Sequence, residues 1–122
     1  MNDTQLTKIR RGMVVRVRNQ NQNPNGHVII GDRPAVVISN NKGNEYSSVV
    51  IVAYLTTSLK RLEMKTHVLL QHYDDLLLSV VKAEQIDTVD KTDVLKVITE
   101  IRPEDMVRID TAVRVSLGLE VE

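Results

Sequence analysis

Eight consecutive residues, Ser48-Val49-Val50-Ile51-Val52-Ala53-Tyr54-Leu55, restrict this chain more than any other stretch. Their β-branched side chains are stiff at χ1 and favour a pleated backbone. An almost unbroken apolar run of this length reads as a central strand, and it is far too short to cross a bilayer. Phe and Trp are absent and Tyr occurs three times, so the core has to be assembled from Val, Ile, Leu and Met, which tilts the fold toward β. A length of 122 residues fits one compact domain with a single site. With 42% hydrophobic and 26% charged residues, intrinsic disorder and fibrous repeats are excluded.

Shorter strands are expected on either side. Residues 1–10 read as a loose N-terminal arm, 11–119 as the folded domain and 120–122 as a tail. From Met13 to Arg18, Val15 and Val17 alternate with Arg16 and Arg18, the period-two pattern of a half-buried strand. Asn19 to Gly26 is an exposed, amide-rich loop. Val28 to Ile30 resumes a strand, Gly31-Asp32 turns the chain, and Pro34 leads into Ala35 to Ser39, completing a short hairpin. Asn40 to Glu45 reads as a turn, and further strands are expected at His67 to Gln71, Ser79 to Val89 and Val94 to Ile101. The period then changes. Pro103 suits a first helical position, Glu104 and Asp105 suit the first turn, and Met106, Ile109, Val113 and Leu117 recur at helical spacing up to Gly118, predicting a helix over 103–117. Strands joined by short turns and closed by one helix predict a small, strongly curved sheet or partly open barrel with the helix packed on it.

The formal net charge of zero hides an imbalance: residues 1–73 carry ten Lys or Arg against four Asp or Glu, and residues 74–122 carry six against twelve. If the two halves occupied different faces, the basic face could hold a polyanion; a mixed, solvated surface is the competing expectation. With no cysteine there is no disulfide, thiolate nucleophile or sulfur-bound zinc, which suits a reducing cytosol. Met1 to Lys8 lacks the apolar core of a signal peptide, so a cytoplasmic protein without membrane insertion is expected. His27, His67 and His72 show no convincing carboxylate or second-ligand spacing, and no acidic metal cluster appears, so neither a metal nor another cofactor is expected.

The ordered segments match a known pattern. Arg11-Gly12 opening a strand, then Gly31-Asp32-Arg33-Pro34-Ala35-Val36-Val37-Ile38, then Val50-Ile51-Val52-Ala53-Tyr54-Leu55-Thr56 are similar to the MazF/PemK toxins. Lys65-Thr66-His67-Val68 resembles that family's P-T-H-V strand, Ser79 to Ile86 its S-V-V-x-x-E-Q-I segment, and Ser116-Leu117-Gly118-Leu119 its usual helix end, so the likeness covers residues 11–119. Two positions depart from it: Met13 where the family commonly has an acid, and Asp87 where it commonly has Arg. The resemblance implies an SH3-like barrel of the CcdB/PemK type, a homodimer, and a toxin of a type II toxin-antitoxin system that cuts single-stranded RNA sequence-specifically. It also implies a MazE/PemI-like antitoxin that blocks the RNA groove. Family chemistry centres on the Arg of the R-P step and the Thr ending the third strand, here Arg33 and Thr56.

RNA carries its own nucleophile, the 2′-hydroxyl beside the scissile phosphate, so cleavage to a 2′,3′-cyclic phosphate and a 5′-hydroxyl needs neither a catalytic Ser or Cys nor a metal-bound water. Attack builds negative charge on the phosphorus oxygens, which a planar guanidinium meets with parallel hydrogen bonds; Arg33 is suited to that role, and Thr56 can donate one hydroxyl bond. Arginine stays protonated in proteins, so charge stabilisation is expected of Arg33 rather than base catalysis. His27 is a candidate acid or base, or an ordinary loop histidine. Arg16, Arg18, Lys60, Arg61 and Lys65 are candidate phosphate contacts and Gln85 a candidate reader of a base edge, while Tyr54 is expected to help fill the core. The competing functions are a non-catalytic relative that binds RNA or antitoxin, and a CcdB-like gyrase inhibitor, against which stands the absence of Trp.

Overall fold

The computed structural model describes residues 8–18 and 31–121. The expected Asn19 to Gly26 loop, the Val28 to Ile30 strand and His27 lie outside the described residues. In chain order the elements are β1 (Met13–Val17), β2 (Arg33–Val37), α1 (Asn41–Tyr46), β3 (Val49–Thr56), β4 (His67–Leu70), β5 (Ser79–Asp90), a 3-10 turn (Lys91–Asp93), β6 (Val94–Glu100) and α2 (Pro103–Ser116). The strands form one six-stranded antiparallel sheet in the order β4-β5-β3-β2-β1-β6. β4 and β6 are its two edges, so the sheet is open rather than a closed barrel, mainly β with a C-terminal helix as expected.

β3 lies inside the sheet between β2 and β5, where Val50, Val52, Ala53 and Leu55 are buried while Ile51 stays exposed. β5, twelve residues long, pairs with β4 at its start and with β3 along most of its length. Ala53 faces Ile86 but Leu55 faces Val81; the additional β5 residues at this slip form a bulge, which bends the strand and increases its twist. Side-chain alternation then divides the core in two. Val14, Val36, Ala53, Leu55 and Val81 face α2, which contributes Ile109 and Ala112, while Val15, Val17, Ala35, Val37 and Val52 pack together on the other face.

The helix starts and stops for the reasons its sequence predicts. Pro103 occupies the first turn, Gly118 takes φ +77, and its N–H reaches the Val115 carbonyl at 3.0 Å while the Leu119 N–H reaches that of Arg114 at 2.8 Å, which is a Schellman ending. Leu117 is the C-cap and is exposed rather than packed, so the apolar stripe stops at Val113. At the other end Asp105 is buried and accepts from the Tyr73 hydroxyl at 2.7 Å, Arg102 Nη2 at 3.3 Å and Arg108 Nη1 at 3.0 Å. Among the described residues no helix is long and apolar enough to cross a membrane.

Two sequence expectations change, and one left open is decided. Asn40 to Glu45 is not simply a turn: Asn40 caps the six-residue helix α1 by accepting from the Gly43 N–H at 2.8 Å, and the buried Asn44 donates to the Ser39 carbonyl at 2.9 Å. The charged halves do not separate into faces. Because β1 lies against β6, Arg10 meets Glu100 at 2.7 Å, Arg11 meets Asp110 at 2.5 Å and Arg18 lies 3.7 Å from Asp93, so cations from the front of the chain mix with acids from the back. Finally, His67 does have a carboxylate: Nε2 lies 2.9 Å from Glu84 Oε2, and Nδ1 lies 2.9 Å from the Arg61 carbonyl, which Arg61 aims from a left-handed φ of 59°. Burial pushes the Glu84 carboxyl up, but hydrogen bonds from His67 and from its own backbone N–H outweigh this and hold it below the usual carboxylate range.

Asp105→Ala is expected to destabilise the fold by about 3 kcal/mol, because it removes the buried carboxylate that two arginines share and leaves the Tyr73 hydroxyl without its acceptor; urea unfolding measures this. Glu84 contributes stability that is full above the ordinary carboxylate range and fades as pH falls through its lowered value. Glu84→Gln is therefore expected to lower the melting temperature most near neutrality and least in acid, as thermal melts across that range will register.

Candidate active site

Arg33 is the first residue of β2 and Thr56 the last of β3. The printed register pairs Ala35 with Tyr54, Val36 with Ala53 and Val37 with Val52. Continued outward by two residues, it sets Arg33 opposite Thr56, and alternation sends both side chains to the face away from α2. Thr56 Oγ1 accepts from the Ser58 N–H at 3.1 Å, which fixes the oxygen and leaves its own proton to donate elsewhere.

The small side chain of Ala35 leaves room beside Tyr54, and Arg33 folds back over that ring with its guanidinium carbon 4.1 Å from the centroid. Arg33 Nη2 donates to Gln85 Oε1 at 2.9 Å, and the Tyr54 hydroxyl donates to Asp87 Oδ2 at 2.7 Å. Gln85 is among the additional β5 residues of the bulge, and Asp87 sits just after it. Burial, then the bond to Asp87 and its negative charge, push the Tyr54 hydroxyl up to about 12, with Arg33 pulling the other way. Tyr54 is thus more than core filling: its ring is half-buried and its hydroxyl is engaged by a carboxylate. The separation of Tyr54 from Asp87 in the sequence hides this arrangement; the departure at Asp87 was the one signal that pointed to it.

The structure joins Arg33 to Gln85 and stacks it on Tyr54, with Asp87 alongside, and the extended register sets Thr56 opposite Arg33. Lys60, Arg61 and Lys65 are exposed on the loop that leaves Thr56, with Arg61 Nε bonded to Glu63 at 3.0 Å. Arg16 pairs with Pro34 and alternates with the buried Val15 and Val17, so it stands on the opposite face from Arg33. Arg18 is anchored at the end of β1, where its N–H meets the Asp93 carbonyl at 2.8 Å. Among the described residues no three His, Asp or Glu side chains converge as a metal-holding group.

Comparison with known proteins agrees with this fold. A family model described as "PemK-like, MazF-like toxin of type II toxin-antitoxin system" matches residues 10–117. The protein named Endoribonuclease MazF of Staphylococcus epidermidis is 38% identical over 91 residues, 73% of this chain and 76% of that protein. A mycobacterial endoribonuclease solved in complex with its cognate antitoxin superposes with a TM-score of 0.76 at 28% identity, covering 93% of this chain and 99% of that one. A second mycobacterial endoribonuclease gives a TM-score of 0.74 at 27% identity, covering 93% and 95%. With its strand order, its Arg33–Thr56 rung and a family match over nearly the whole domain, this chain belongs to the PemK-like, MazF-like toxins of type II toxin-antitoxin systems.

Proposed function

We propose that this toxin is an endoribonuclease that cuts single-stranded RNA at the rung shared by Arg33 and Thr56. The observation that carries this reading is the state of the Arg33 guanidinium: among the described residues it donates to Gln85 alone, so most of its donor fork remains for phosphate oxygens. As the 2′-oxygen attacks phosphorus, Arg33 and the Thr56 hydroxyl receive the charge that grows on the non-bridging oxygens. One proton leaves the 2′-oxygen and one reaches the departing 5′-oxygen, which yields a 2′,3′-cyclic phosphate and a 5′-hydroxyl. Arg33 stays cationic throughout. The residues themselves supply no metal chemistry, since RNA brings its own nucleophile.

Lys60, Arg61 and Lys65, on the loop that begins at Thr56, extend the site along the RNA backbone. The exposed Arg61–Glu63 pair is weak enough for a phosphate to displace. Gln85 holds Arg33 through its carbonyl oxygen and offers its NH2 group to a base edge. The mycobacterial relative is solved with its antitoxin; by analogy this toxin meets a MazE/PemI-like partner whose acidic, partly disordered segment competes for the same cations. It acts in the cytoplasm as a homodimer, a state favoured by exposed apolar side chains such as Tyr46, Leu77 and Leu119.

Arg33→Ala is expected to slow cleavage of a long unstructured RNA by roughly 10²-fold or more, as for a lost oxyanion donor, and Thr56→Ala to slow it as well. End mapping in the presence of chelator will read both rate and product; parent rates in both folded variants would contradict the assignment, and intact RNA with the parent protein would favour a binding role. Sedimentation at micromolar concentration is expected to give the mass of a dimer.

A further inference from the structure

Tyr54, packed against the core on the face away from α2, and its partner Asp87 are the support on which Arg33 rests. An arginine side chain is long and loses considerable rotamer freedom when it is held in one place. Here it is held twice. The Tyr54 ring lies beneath the guanidinium at 4.1 Å, and Gln85 fixes Nη2 from the side. The ring is itself anchored, because its hydroxyl donates to Asp87 at 2.7 Å. A phenol that donates to a carboxylate gains electron density in its ring, which strengthens the attraction for a cation above it.

The fold contains an internal comparison. Arg102 stacks on Tyr73 at 4.0 Å, and the Tyr73 hydroxyl donates to Asp105, so the same three residue types recur. There the guanidinium is spent on the protein: Nη1 donates to the His72 carbonyl at 2.9 Å and Nη2 to the Gln71 carbonyl at 2.7 Å. At Arg33 the ring and its carboxylate are kept, and among the described residues the guanidinium has no backbone acceptor. A stack that locks a helix start at one place orients an available guanidinium at the other.

We propose that Tyr54, anchored by Asp87, is a positioning residue that sets the Arg33 guanidinium for the scissile phosphate. This rests on the reading of Arg33 given above. A group that orients a transition-state donor changes kcat more than KM.

The test compares Tyr54→Leu, Tyr54→Phe, Asp87→Asn and Arg33→Ala on one single-stranded RNA that the parent cuts, with melting temperatures recorded for each. Tyr54→Leu is expected to lower kcat by about tenfold with KM nearly unchanged. Tyr54→Phe, which keeps the ring but not its anchor, should restore most of that loss, and Tyr54→Leu should cost nothing further in an Arg33→Ala background. A folded Tyr54→Leu protein with the parent kcat overturns the proposal when Arg33→Ala is slow, and so does a change confined to KM, which would mean that Tyr54 contacts RNA directly. If Arg33→Ala itself cuts at the parent rate, the reading of Arg33 fails first and the positioning role falls with it. Should Tyr54→Leu not fold, a loss of about two- to fivefold in kcat common to Tyr54→Phe and Asp87→Asn supports the proposal, and parent values in both overturn it.

Discussion

The pairing of β3 with strands on both of its edges is the constraint on which the rest of this molecule depends. Tyr54 and Thr56 belong to β3 itself, Arg33 comes from β2 on one side, and Gln85 and Asp87 come from β5 on the other. None of these residues is placed by its own strand alone. The backbone ladder sets their heights, and the period of two sets their face, so a one-residue slip of β2 would send Arg33 into the helix-side core. The bulge in β5 adds a local adjustment. Regular pairing upstream serves β4, and the extra residues, Gln85 among them, let the strand turn before Ile86 and Asp87 resume pairing with β3.

Two Arg-Tyr-Asp stacks in one small domain separate what such a cluster does for stability from what it can do for chemistry. At the start of α2 the cluster replaces a side-chain cap that Arg102 does not provide. Tyr73 accepts the Arg102 N–H at 2.9 Å, and the buried carboxylate of Asp105 balances two guanidinium groups. On the β3 face the acid is exposed and the tyrosine sits between it and the arginine. That spacing keeps Asp87 from neutralising Arg33 directly, as a salt bridge would, and leaves the cation attractive to a phosphate.

Much of the fold was legible from local patterns. The run from Ser48 to Leu55 became the inner strand β3, the alternation at Val15 and Val17 became β1, and Pro103 with Gly118 bracketed α2 almost to the residue. These are features whose cause lies within a few positions. α1 escaped because it is one short helical turn built from Asn, Gly and other turn-forming residues, and its stability comes from Asn44 bonding back to Ser39. The partner of His67 escaped because Glu84 is brought beside it only by the pairing of β4 with β5. At the site, Arg33, Thr56 and Gln85 could be named from the family pattern, but the support beneath Arg33 could not. It exists only once β3 and β5 are side by side, and the charge imbalance between the chain halves gives no separate faces for the same reason: long-range pairing interleaves what the sequence keeps apart.

The strand order has a bearing on how the protein is made. A ribosome delivers β2 and β3, and with them Arg33 and Thr56, well before β5 has been synthesised. β1 gains its second neighbour only when β6 arrives still later. Contacts this distant along the chain close late, so a nascent or prematurely terminated product carries both candidate reactive side chains without the strand that aligns them. Synthesis of such a toxin thus has a built-in delay: its candidate site is aligned only after β5 has emerged.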